Sequence, residues 1–232
     1  MTDHPAVPAP APSLATRLAH LARPRPEGAR CFVNPPLTRG STVLYANMAE
    51  RRAAARQRLD QALVYGTMGN PTHFALEDMV AAIEGGTRCQ IVSTGLAAVT
   101  LAVLAYVEAG CHVLMPDSVY GPARNLATGF LVKFGVETSF YDPLIDEAGM
   151  AALIRENTSV VYVESPGSHT FEVQDVPGIA RAAHARGAKV LMDNTWGIHF
   201  FQPFAHGVDV SIQALTKYVG GHSDVLLGAV TT

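Results

Sequence analysis

The stretch Ser211-Ile212-Gln213-Ala214-Leu215-Thr216-Lys217-Tyr218-Val219-Gly220-Gly221-His222-Ser223-Asp224 decides how this chain is read. An apolar run at 208–215 brings the backbone out of a buried sheet. Thr216 and Lys217 follow, then two glycines that no regular element favours. A lysine at such an exit, among apolar neighbours, is a candidate for a Schiff base. Desolvation lowers the pKa of its ammonium group and frees a nucleophilic amine. A lone lysine after a strand is more often an ordinary surface residue, so the reading needs a second signal. Asp193 provides it, because it ends another apolar run, 189–192, and offers the lysine a carboxylate partner.

The residues before this stretch alternate between strand-like and helix-like segments. Residues 89–93 form a short strand, and Thr94-Gly95-Leu96 opens an apolar helix reaching about 108. A glycine turn at a helix N-terminus makes an anion site, because free N–H groups and the helix dipole point the same way. One glycine alone is weak evidence for it. Residues 111–116 are the next strand, with Tyr120 in the loop that follows. Helix 123–134, strand 136–141, helix 147–156 and strand 159–164 continue the pattern. Asp175 and Pro177 start a helix as N-cap and first-turn residues, and Gly187 ends it. Such alternation predicts an α/β fold: a mostly parallel sheet with helices on both faces. In such sheets ligands sit at the carboxyl ends of strands. Gly95, Tyr120, Asp193 and Lys217 all fall at strand ends, so the fold can bring them together.

An amine to hold an aldehyde and a carboxylate to keep a ring nitrogen protonated are what pyridoxal phosphate (PLP) chemistry requires. Thr216-Lys217-Tyr218 with Gly220-Gly221-His222-Ser223-Asp224 resembles the cofactor-lysine signature of the Cys/Met-metabolism family of PLP-dependent enzymes. Asp193-Asn194-Thr195 resembles its pyridine-binding segment, and the likeness runs from about Tyr65 to the end of the chain. Glu164-Ser165-Pro166-Gly167-Ser168 is similar to the β-lyase branch. The resemblance implies a fold type I, aspartate aminotransferase-like large domain at 63–232, preceded by an N-terminal arm at 1–62. It implies β-elimination of L-cystathionine to homocysteine, pyruvate and ammonia, in methionine biosynthesis. By the same likeness, Lys217 carries PLP and moves the Cα proton, Asp193 faces the pyridine nitrogen, and Tyr120 stacks on the ring and helps with proton transfer. Gly95, Leu96 and Thr216 would hold the phosphate, and Tyr65 would serve a neighbouring subunit's site, which implies a homo-oligomer, a dimer or tetramer. The alternatives are a γ-lyase or γ-synthase acting on sulfur amino acids, or a non-catalytic remnant used only for assembly.

Three departures accompany the likeness. Thr67 stands where the family carries a phosphate-binding arginine, and Ala214 where it carries a serine. The family also continues beyond the lysine into a domain whose arginine binds the substrate carboxylate, so residues 1–232 are expected to be the front portion of such an enzyme.

Composition narrows the rest. With 232 residues, 48% apolar and 16% charged, the chain has enough apolar sequence for a substantial core. A net charge of −3 without any basic block gives no reason to expect nucleic acid. The longest apolar run, 96–107, is too short to span a bilayer. The first residues lack a basic and apolar leader, so a cytoplasmic location is expected. Cys31, Cys89 and Cys111 form no CxxC and suit free thiols. The nine histidines lack HExxH or clustered spacing, so no metal site is expected. The absence of GxSxG, GxGxxG and Walker A patterns argues against hydrolase, dinucleotide and NTP chemistry.

Nearer the N-terminus, residues 2–12 are rich in Pro and Ala and are expected not to fold alone. Ser13 caps a short helix carrying Leu14 and Leu18. A strand is expected at 41–45, a basic helix with a solvated face at 47–63, and a helix at 73–84 capped by Thr72.

Overall fold

The computed structural model describes residues 12–24 and 31–232; apart from Pro12, the Pro- and Ala-rich stretch lies outside them. The chain divides into two compact units, Met1–Met79 and Val80–Thr232.

In the first unit, helix α1 spans Leu14–His20, and the Ser13 hydroxyl accepts the Thr16 N–H as expected. Helix α2 is Met48–Arg56, shorter than the sequence pattern suggested. Its Asn47 cap accepts the Glu50 N–H, and the Glu50 carboxylate reaches back to the Ala46 N–H. None of its residues is buried, and a helix without a buried stripe has little to extend it. The expected strand at 41–45 is reduced to one bridge, Thr42 to Tyr65, because no second strand lies alongside. Helix α3, Pro71–Glu84, begins in the first unit and ends in the second, and it starts on a proline whose missing N–H needs no partner there. Asn70 is its cap rather than Thr72, accepting the N–H groups of Thr72 and His73. The Thr72 hydroxyl instead ties down the preceding segment, donating to the Pro36 carbonyl and accepting the Thr38 N–H. Gly85 ends α3 with φ +76°, the left-handed conformation a helix stop favours.

The second unit is built on a seven-stranded sheet among the described residues. Its strands are β1 Cys89–Val92, β2 His112–Pro116, β3 Glu137–Tyr141, β4 Thr158–Glu164, β5 Lys189–Asp193, β6 Val210–Gln213 and β7 Gly228–Thr231. They lie in the order β1-β7-β6-β5-β4-β2-β3. All pairs from β6 to β3 are parallel, whereas β7 runs antiparallel to both neighbours, β1 and β6. The sheet is therefore mostly parallel, and β1 to β6 all point the same way.

Period-two burial explains why helices cover both faces. Val113, Met115, Val160, Tyr162, Leu191 and Ile212 face one core, shared with helices α4 (Gly95–Leu104) and α5 (Gly121–Asn125). Their in-strand neighbours Leu114, Val161, Val163, Val190 and Met192 face the other, shared with α6 (Glu147–Leu153) and α7 (Val176–His184). Each fully buried side chain of this size contributes about 1.5–3 kcal/mol. Helix α5 continues without a break into a π-helical turn, Leu126–Leu131. Side-chain caps begin α4, α6 and α7: Thr94, Asp146 and Asp175 accept the N–H groups of Ala97, Gly149 and Gly178. No helix among the described residues is long and apolar enough to cross a membrane.

Candidate active site

The second unit gathers Gly95, Tyr120, Asp193 and Lys217 along the carboxyl edge of one sheet. Gly95 opens α4 directly after β1, with the half-exposed Leu96 next to it. A Cβ on Gly95 would lie 2.7 Å from the Ala214 Cβ. The β1–α4 turn therefore packs directly on the exit of β6, and only a glycine permits that approach. Tyr120 follows β2 as the residue ahead of α5, with 44% of its surface exposed. Asp193 is the last residue of β5 and pairs in register with Ile212 of β6.

A continuous hydrogen-bonded path joins the carboxylate to the lysine. The Thr195 N–H donates to Asp193 Oδ1 at 3.0 Å, and the Ala214 N–H donates to Thr195 Oγ1 at 2.9 Å. The Lys217 N–H then closes a turn on the Ala214 carbonyl at 3.0 Å. Thr216 is held through its hydroxyl and N–H by the backbone of Leu227. Lys217 itself is exposed, and it lines an open groove of about 660 Å³ with Thr216, Tyr218, Gly221 and residues 223–226. Aromatic rings flank this region, with Trp196 5.7 Å from Tyr218 and 5.5 Å from Phe171, centroid to centroid.

Burial pushes the Asp193 carboxyl above its usual range, against the hydrogen bonds from Thr195, and the Glu84 charge adds to the rise. A cationic ring nitrogen placed against Asp193 acts in the opposite sense and favours the carboxylate. Tyr65 lies in the first unit, half-exposed, with its backbone bridged to Thr42.

Two acidic residues in this region carried no role in the sequence reading. Glu164, at the end of β4, is 3% exposed. Its Oε2 accepts the Tyr120 N–H at 2.8 Å, and its Oε1 accepts the Ser168 hydroxyl at 2.6 Å. It thus stitches the loop after β2 to the loop after β4, where the Ser168 N–H also donates to the Ser118 carbonyl. Burial, with the nearby Asp193 charge second, pushes Glu164 up to about 7. The other is Glu84, whose side chain is buried between α3, β5 and β6. The available signal was an acid closing an otherwise apolar helical turn, 79–84, just before two glycines.

These groups fit PLP. The amine of Lys217 suits its aldehyde, Asp193 suits its ring nitrogen, and the glycine-opened N-terminus of α4 suits its phosphate. Among the described residues, no group of three or more His, Cys, Asp or Glu side chains could hold a metal.

A mostly parallel sheet with lysine and carboxylate on neighbouring strand ends defines the large domain of a fold type I PLP-dependent enzyme. The chain belongs to the Cys/Met metabolism PLP-dependent enzyme family, which it matches over residues 15–232. It is 48% identical over 217 residues to a protein of Rhizobium johnstonii, covering 93% of this chain and 53% of the relative. It is 40% identical over 222 residues to the cystathionine β-lyase of Bordetella avium, covering 94% of this chain and 55% of that one. The crystal structure of MetB from Corynebacterium glutamicum superposes with a TM-score of 0.84 at 28% identity, over 95% of this chain and 55% of that chain. The chain spans about half the length of these proteins.

Proposed function

We propose that the protein is a PLP-dependent carbon–sulfur lyase that eliminates the β-substituent of L-cystathionine, releasing homocysteine, pyruvate and ammonia. The hydrogen-bonded path from Asp193 through Thr195 and Ala214 to the Lys217 backbone carries this reading, because it fixes the carboxylate relative to the chain segment from which the lysine amine projects. When bound, PLP supplies an electron sink that acidifies the substrate Cα–H. Asp193 holds a proton on the ring nitrogen and so keeps that sink effective. Lys217 would anchor the cofactor through its amine, and the same amine, when free, would take the Cα proton as general base. As the Cβ–S bond breaks, Tyr120 or Lys217 delivers a proton to the departing sulfur. The N–H groups of Gly95 and Leu96 bind the phosphate, and the Thr216 hydroxyl joins them by giving up its bond to the Leu227 carbonyl. Tyr65 is assigned to the site of a second copy, which makes the working enzyme a homo-oligomer, a dimer or tetramer, in the cytoplasm.

The test is borohydride reduction of the full-length protein with PLP, followed by mapping of the labelled peptide. The label is expected on Lys217 and is expected to vanish in Lys217→Ala. Retention of the label in that variant would remove Lys217 from its role. Pyruvate is the expected product from cystathionine, and 2-oxobutyrate would replace β- by γ-elimination.

A further inference from the structure

Glu84 closes α3 with a side chain fully shielded from solvent. Its Oε1 alone accepts three donors: the Ser211 hydroxyl, Gln213 Nε2 at 2.7 Å and Asn194 Nδ2 at 3.3 Å. Its Oε2 is buried with no hydrogen-bond partner. A sheet built only for stability has little use for such a group, because a well-packed apolar residue would spare the desolvation of a carboxylate. What a carboxylate does supply is a strong, directional acceptor for several donors at once.

Those donors sit where direction matters. Asn194 immediately follows Asp193, and Gln213 lies four residues before Lys217. The Gln213 amide also donates to the Asn194 carbonyl at 2.8 Å, so the same carboxylate draws the two strand exits together. Asn194 Nδ2 has a further acceptor in the Phe201 carbonyl, which fixes the turn beyond β5. The arrangement is thus tied from a third element, α3, in addition to the direct bonds between the two strand exits.

We propose that Glu84 is a positioning residue for the cofactor pair, holding the ends of β5 and β6 so that Asp193 and Lys217 keep their separation. This rests on the assignment of that pair made above, and it acts through Asn194 and Gln213 without touching the cofactor.

The experiment follows amide hydrogen exchange in the cofactor-free, full-length protein. It compares wild type with Glu84→Ala and with Glu84→Gln, which keeps an acceptor oxygen. The amides of Thr195, Ala214 and Lys217 report the path between carboxylate and lysine. In Glu84→Ala they are expected to exchange at least about tenfold faster, with β2 and β3 unchanged. Glu84→Gln is expected to stay within about threefold of wild type, because its carbonyl still accepts the three donors. Unchanged exchange at these three amides in Glu84→Ala overturns the proposal, as does an equal rise in β2 and β3, which marks a general loss of stability. Should Glu84→Ala fail to fold, Gln213→Ala removes the donor that spans both strands and is held to the same expectations. Failure of borohydride labelling at Lys217 in wild type would overturn the functional reading while leaving this measurement to stand or fall separately.

Discussion

Glu164 and Asp193 stand side by side, paired in register at the ends of β4 and β5. Burial raises the affinity of Glu164 for its proton, and the neighbouring Asp193 charge raises it further. The pair titrates as a unit, with Glu164 reaching about 7.

That pair makes stability depend on pH with a defined sign. Between the ordinary glutamate value of 4.5 and about 7, folded Glu164 keeps a proton that the unfolded chain releases. Its contribution is complete below that window and is lost as pH rises through it. A shift of this size corresponds to a few kcal/mol at most, on the order of 3. Urea unfolding midpoints of wild type are expected to fall across this range, and Glu164→Gln is expected to flatten the decline. An equally steep decline in the variant would assign the effect to other groups.

Asp193→Asn separates cofactor binding from catalysis. A neutral amide leaves the Lys217 amine free to capture PLP but does not hold a proton on the ring nitrogen. Borohydride labelling is expected to persist while turnover drops by about a hundredfold or more. Near-normal turnover would assign the ring nitrogen to another partner.

Gly95→Ala tests the contact between the β1–α4 turn and the β6 exit. The added methyl would lie 2.7 Å from the Ala214 Cβ and 3.1 Å from its Cα, so one backbone must move. Overpacking of this kind costs about 1–3 kcal/mol. Both the unfolding midpoint and the affinity for PLP are expected to fall. A variant as stable as wild type, with full affinity, would show that the turn yields freely.

Thr67→Arg adds a charge at an exposed turn position, Gly66–Met68, where the added bulk meets solvent. If the phosphate lacks a cation there, one charge-assisted contact contributes about 1.5–3 kcal/mol. PLP binding by equilibrium dialysis is expected to tighten roughly tenfold or more. Unchanged affinity would mean that another group already fills the role.

The strand ends were legible because their signals are local. Short apolar runs stopping at Gly95, Asp193 and Lys217 reveal sheet exits without knowledge of any partner, and β2, β4 and α7 followed from the same pattern. The N-cap of α3 was less legible, since Asn70 and Thr72 are both capping residues. What decides between them is the contact of Thr72 with Pro36 and Thr38, more than thirty positions away. The segment 41–45 has strand-like composition but finds only a single bridge, which composition does not record. Glu84 and Glu164 stayed hidden for the same reason. Their partners lie between 4 and 129 residues away, and only the fold reveals that Glu84 meets Gln213 or that Glu164 meets Tyr120.

The antiparallel strand β7 also sets an order of assembly. Among the described residues β1 pairs only with β7, Cys89 opposite Thr231 and Val92 opposite Gly228. Until residues 228–231 have left the ribosome and slid between β1 and β6, no strand pairing ties β1, and the Gly95 turn it leads into, to β6. Synthesis therefore delivers Lys217 before the strand that joins β1 to β6. The nascent chain passes through a stage in which Lys217 is made and β1 is still unpaired. Closing so long a loop is slow relative to local helix formation. Docking of the Gly95 turn beside β6 is thereby tied to the arrival of β7.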